Sequence, residues 1–194
     1  LGIAAKGPPD LDIDAIASAI DLSDFGSISG LPWSGTGSAT VKVKGPAGLV
    51  VITGQTSLRD FKFAGYSLGV VQSPVRYEGD TLTFEGLVAQ KGRTQLFGDI
   101  GLDFLDSGLH TRASVQLPDG RVEDVVDLLV DLSPGIQSLQ EVLVGRVSMV
   151  AAIDSPASQL AGLLAVRVSD VAYFDRRLGA ANVILRFEEG KRLV

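Results

Sequence analysis

The stretch Leu109-His110-Thr111-Arg112-Ala113-Ser114-Val115-Gln116-Leu117 alternates between two kinds of side chain without a slip. Leu109, Thr111, Ala113, Val115 and Leu117 fall on one side of an extended chain, and His110, Arg112, Ser114 and Gln116 on the other. Successive strand residues point to opposite faces, so this pattern predicts a strand with one buried face. The same reading extends outward in both directions. Leu96, Ile100, Leu102 and Phe104 share a face from which Gln95, Asp99 and Asp103 point away. Val41 and Val43 oppose Lys42 and Lys44, Phe61 and Phe63 flank Lys62, and Val75 and Tyr77 flank Arg76. Leu82 and Phe84 alternate with Thr81, Thr83 and Glu85.

Short turn signals separate these runs. Glu78-Gly79-Asp80 and Gln90-Lys91-Gly92 place glycine where a hairpin needs positive φ, and Pro118-Asp119-Gly120 closes another strand. The expectation is an antiparallel meander with short connections. Two stretches carry helical spacing instead. One is Val122, Val125, Val126 and Leu129, continued past a Ser133-Pro134 helix start by Ile136, Leu139 and Leu143. The other is Ile13, Ile16, Ala17 and Ile20, giving expected helices at 11–22 and 122–143.

An internal repeat underlies the meander. Asp21-Leu22-Ser23 recurs as Asp131-Leu132-Ser133, and Pro8, Asp14 and Ile20 match Pro118, Asp124 and Val130 at the same offset. Gly37 and Gly54 are spaced like Gly145 and Gly162, Gly69 matches Gly179, and Arg76-Tyr77-Glu78 recurs as Arg186-Phe187-Glu188. The expected organisation is the end of one unit at 1–9, a complete helix-plus-meander unit at 10–120, and a further unit beginning at 121–194. The first and last residues read as cuts in a longer chain, so anchors and targeting signals are expected outside the window.

The chemistry that the sequence withholds is as informative. With no cysteine and a single histidine, His110, a thiol nucleophile, a catalytic triad and a His/Cys metal site are all ruled out. His110 reads as an ordinary residue on a polar face. Asp10, Asp12 and Asp14 imitate the start of a calcium loop, but Ala15 and Asp21 stand where Gly and Glu belong. They read as an acidic helix start. Gly35-Thr36-Gly37 lacks the rest of a nucleotide loop and reads as a bulge or turn entering a strand. Glu188-Glu189 reads as solvated charge beside a turn. Trp33 reads as packing a helix-to-strand corner, with a channel plug or a membrane contact as alternatives. A net charge of −6 with scattered basic residues argues against nucleic acid. The pattern points to no enzyme, no cofactor and no metal.

The run Gly37-Ser38-Ala39-Thr40-Val41-Lys42-Val43-Lys44-Gly45-Pro46, then Val50-Val51-Ile52-Thr53-Gly54-Gln55 and Leu82-Thr83-Phe84-Glu85-Gly86, resembles the repeats of TamB-like proteins. So does Gly98-Asp99-Ile100-Gly101-Leu102-Asp103-Phe104. The wider group holds AsmA-like proteins and the repeating β-groove lipid transporters. The resemblance covers roughly 30–105 and 140–194 and rests on degenerate glycine and aliphatic patterns. It implies a mainly β chain whose curved antiparallel repeats form an elongated groove, with short amphipathic helices between units. It carries over no catalytic residue. It implies an apolar groove for phospholipid acyl chains, walled by Val41, Val43, Phe61, Phe63, Val75, Tyr77 and Leu82, and by Phe84, Leu96, Ile100, Leu102, Phe104 and Val115. It also implies a periplasmic protein anchored in the inner membrane, carrying phospholipid towards the outer membrane. An outer-membrane barrel of the Omp85 type is the implied partner. A sealed β-repeat scaffold and a factor that assembles outer-membrane proteins through open strand edges remain the rival readings.

Overall fold

The computed structural model describes residues 9–24, 33–63, 66–129, 142–156, 159, 161–174 and 176–187. Ten strands follow one another: β1 Asp10–Asp21, β2 Trp33–Pro46, β3 Val51–Phe63, β4 Tyr66–Glu78 and β5 Thr81–Lys91. Then come β6 Thr94–Leu105, β7 Gly108–Arg121, β8 Leu143–Pro156, β9 Gly162–Tyr173 and β10 Arg176–Phe187. All ten lie in a single open sheet in chain order, every neighbouring pair antiparallel. The helix α1, Val122–Leu129, leaves the end of β7. The fold is therefore the expected antiparallel meander, and it is mainly β.

Hairpin turns stand where glycine was read, at 79–80 and at 92–93, with Gly79 and Gly92 both at positive φ. Pro118-Asp119-Gly120 does not close its strand. It lies inside β7, where the register with β8 slips between Leu117 and Gly120. That is a bulge, in which one strand carries extra residues against its partner and bends.

The helix expected at 11–22 is strand β1, and only 22–24 forms a helical turn. The helical spacing arises from a phase slip. Leu11, Ile13, Ala15 and Ala17 alternate against β2, and the register then shifts between Ala17 and Ile20. Ile20 thus returns to the inner face while Ile16 stays outside, 81% exposed. The aspartates between them form no helix start, because Asp12 and Asp14 lie opposite Lys44 and Lys42. Of the helix expected at 122–143, α1 is present, whereas Leu143 opens strand β8. The Ser133-Pro134 start, Ile136, Leu139, the second Asp-Leu-Ser copy, Pro8, Val130 and Glu188-Glu189 lie outside the described residues.

Several repeat pairs fall at matching places in the sheet. Gly37 and Gly145 lie near the starts of β2 and β8, and Gly54 and Gly162 near the starts of β3 and β9. Gly69 of β4 and Gly179 of β10 both have positive φ, at 73° and 97°. The pairing fails at the helix, because Asp14 is in a strand and Asp124 in α1. The sheet crosses the boundary expected at 120/121 without interruption, since β7 pairs with β8 over most of its length.

Buried residues gather on one side of the sheet. Leu58, Phe61, Val71, Leu87, Ala89, Leu96, Leu117 and Val147 form one cluster, and Val122 and Val126 of α1 close over it. Leu117 is fully buried at its centre. Leu117→Ala leaves a void that this crowded site cannot collapse and is expected to cost about 3 kcal/mol. Leu178→Ala, at the exposed β10 edge, is expected to cost under about 0.5 kcal/mol. Urea unfolding of the two variants measures the difference; equal losses would mean that the cluster is not the core.

Candidate functional site

Cross-strand pairing places inward side chains in rows that run perpendicular to the strands. Ala15, Val41, Gly54, Val75, Phe84, Ile100, Ala113, Ile153 and Gly162 stand opposite one another in turn from β1 to β9. The neighbouring row is Ile13, Val43, Ile52, Tyr77, Leu82, Leu102, Thr111 and Ser155. Neither row holds a charge. At ~4.8 Å per strand the first is about 40 Å long.

The opposite face reads in the reverse sense. One outer row is Asp14, Lys42, Thr53, Arg76, Thr83, Gly101, Arg112 and Asp154. Lys42 reaches Asp14 at 3.0 Å, and Arg146 bonds Asp119 at 2.7 Å. These pairs are exposed and contribute little stability. Their effect is on register: a one-residue slip would bring charge to the inner face.

The inner face curls. A cavity of about 230 Å³ is lined by Ile20 and Leu22 at the end of β1, by Trp33 of β2, and by residues of every strand as far as Ile100 and Leu102 of β6. In a flat sheet β1 and β6 would lie about 24 Å apart, so one cavity touching both requires a trough. Bulges supply the bend. The register slips between Leu58 and Phe61, between Gln72 and Val75, and between Phe84 and Leu87. Asp60, at φ 50°, and Gly86, at φ 63°, stand within two of these slips.

Of the groove residues read from sequence, Phe61, Phe63, Val75, Leu82, Phe84, Ile100 and Leu102 line this cavity together. Val41, Val43 and Tyr77 stand in the inner rows away from it. Leu96 is buried beneath α1, and Val115 packs against the same cluster. Phe104 pairs with Leu109 at the opposite strand ends. The sequence reading missed Ile20, Leu22, Thr56, Leu58, Leu68, Val71 and Leu87, which also line the cavity. Leu58 and Leu87 escape a period-two search because each is three residues from its inner neighbour across a bulge.

Trp33 turns its ring into the cavity wall, and its Nε1 is buried without a hydrogen-bond partner. Gly35-Thr36-Gly37 lies within β2 opposite a bulge, where β3 carries an extra residue between Arg59 and Lys62, and Gly35 stands at φ 131°. His110 lies on the outer face, half-buried, with Nε2 3.4 Å from Asp154 and Nδ1 3.9 Å from Asp103. Among the described residues no group of carboxylate and histidine side chains is arranged to hold a metal ion. No helix among them is long and apolar enough to cross a membrane.

No family model matches the chain, and no curated protein or solved structure matches it significantly.

Asp103, on the outer face, is held by three side-chain hydrogen bonds. Arg112 donates to both its oxygens at 3.0 Å, and Thr81 Oγ1 donates to Oδ1 at 2.8 Å. The Arg112 hydrogen bonds, then that of Thr81, hold the carboxyl below the usual carboxylate range, against an opposing effect of burial. A depressed folded-state pKa stabilises the fold above the unfolded value of ~3.9, and that stability is lost as pH falls through the folded value. Asp103→Asn is therefore expected to be less stable than the parent at pH ~7, with a smaller gap near pH ~2. Urea midpoints at the two pH values test this; a constant gap would show that the ionised carboxylate is not the stabilising form.

Proposed function

We propose that this chain is a segment of an envelope lipid-transfer protein whose apolar trough conducts phospholipid acyl chains between inner and outer membranes. The observation that carries the reading is the pair of uncharged inner rows running from strand to strand beneath a charged outer face. An acyl chain in water costs ~0.8 kcal/mol per CH₂, and an uninterrupted apolar surface removes most of that barrier without any reactive residue. The cavity adds to the case. Protein interiors are close-packed, so a sealed scaffold would fill its core, whereas here the apolar walls bound a groove of about 230 Å³ that opens to one side. That exceeds the ~150 Å³ of an apolar cavity able to bind benzene.

In this reading the acyl chain lies along Val75, Phe84 and Ile100 while the headgroup stays in solvent. The protein works in the periplasm, anchored in the inner membrane by regions outside this segment, with an Omp85-type barrel as its partner at the outer membrane. A second reading, assembly of outer-membrane proteins through strand pairing, draws on β10, where Leu178 and Ile184 are exposed.

Photocrosslinking in the full-length protein in cells separates these readings. A probe at Phe84, in the cavity wall, is expected to yield phospholipid adducts, and one at the exposed Glu85 none. Val75→Asp places a charge in the trough and is expected to lower lipid flux roughly tenfold or more while the chain stays folded. Folded protein with a reactive probe and no lipid at Phe84 would sink the transfer reading. Client-protein adducts along β10 in its place would favour assembly.

A further inference from the structure

The most deeply buried stretch of the inner face is not the open cavity but the patch beneath α1. Val71 of β4, Ala89 of β5 and Leu96 of β6 pair in sequence, and Leu117 of β7 continues the same apolar line into Met149 and Val166. Val71, Ala89, Leu96 and Leu117 are each no more than 5% exposed. What covers them is α1, which packs Val122 and Val126 onto this cluster. The helix leaves β7, lies against β8 and reaches back to β4. Three strand spacings are about 14 Å, and eight helical residues span about 12 Å, so α1 lies along the trough, in the direction a transported chain would take.

The cover is held by few polar contacts, gathered at one side of it, where Thr94 is fully buried. Asp127 pairs with Lys91 at 2.7 Å. Asp124 accepts from the Arg93 backbone N–H at 3.0 Å and from Thr94 Oγ1 at 2.8 Å, and Thr94 Oγ1 accepts from the Arg121 N–H at 2.9 Å. The Asp127 and Asp124 contacts fasten α1 to the residues around the turn between β5 and β6, and the Arg121 N–H ties the end of β7 to Thr94. Its apolar side meets the sheet through side chains alone, and apolar contact is non-directional, so a methylene chain of similar width can replace it.

We infer that the surface under α1 is a second acyl-chain site, occupied in this structure by α1 itself as an internal, displaceable stand-in for lipid. The cavity from β1 to β6 is then the open part of the trough, and α1 stops the chain path where Val71 and Leu87 pass from the cavity wall into the buried cluster. Release of the Lys91–Asp127 latch joins the open part to the Leu117–Met149–Val166 surface. The ligand is a single aliphatic chain, because nothing polar stands in the covered row. This inference rests on the lipid-transfer reading and deepens it.

The test uses the absence of cysteine from this chain, which makes an introduced pair unique within it. Lys91→Cys with Asp127→Cys, bridged by a short bis-maleimide, fastens α1 shut in the full-length protein. Photoprobes at Leu117 and, separately, at Phe84 then report contact with vesicles of phosphatidylethanolamine and phosphatidylglycerol. The unbridged protein is expected to give lipid adducts at both positions, and the bridged one at Phe84 only, with at least a tenfold loss at Leu117. Equal adducts at Leu117 with and without the bridge would overturn the inference, because lipid would reach the site past a fixed helix. Adducts at Phe84 but never at Leu117 would also overturn it, making α1 permanent core. Folded, probe-reactive protein with no adduct at either position would remove the transfer reading and this inference together.

Discussion

The described residues form a single sheet with one apolar face and no second sheet among them to cover it, so the sheet must cover itself. Everything else in this molecule follows from that constraint. Ten antiparallel strands in chain order supply no crossover and no opposing layer, so the apolar rows have two ways out of water. The sheet can bend over them, or a helix can lie on them, and both occur. Bulges bend the strands between Leu58 and Phe61 and between Phe84 and Leu87. The helix α1 covers the stretch from Val71 to Val147. Where neither device closes completely, the cavity between Ile20 and Leu102 is left.

Bending has a backbone requirement that explains some of the glycines. A Cβ on Gly54 or Gly162 would press into the carbonyl oxygen of the neighbouring strand, from Thr40 and Ala152 respectively. Both sit in the inner row that passes through Phe84 and Ile100, on the side towards which the sheet closes. Glycine here is a steric condition for close strand approach. Repeated at matching places in β3 and β9, it lets one curvature continue along the sheet.

The period-two pattern was legible because it follows from the pleat alone. Leu109 to Leu117 reads correctly from sequence, and so do the turns at Gly79 and Gly92. What resisted reading was every point where the pleat loses phase. Ile13, Ala17 and Ile20 share the inner face only because the register slips after Ala17, and the resulting spacing imitates a helix. Leu58 and Leu87 vanish from an alternation search for the same reason. Leu143 looked helical beside Leu139, yet it opens a strand paired with Tyr173. Local spacing cannot show a bulge, because the bulge is defined by the partner strand. The candidate site was accordingly half visible: Phe84 and Ile100 lie in unbroken runs, whereas Leu58, Val71 and Trp33 enter it through bends.

The two ways of covering apolar surface also differ in what they permit. A bent sheet fixes the separation of its walls through backbone hydrogen bonds, so it can hold a cavity open that free side chains would collapse. Docked by Val122 and Val126 and tied to one hairpin, a helix lacks that stiffness. Hydrogen bonds between strands must break together, whereas contacts of α1 release with one short element. The trough wall is thus the rigid part, and α1 is the part that can leave as one short unit. A surface that must stay dry when empty and accept a chain when filled needs both, and in this sheet they lie side by side, sharing Val71 and Leu87.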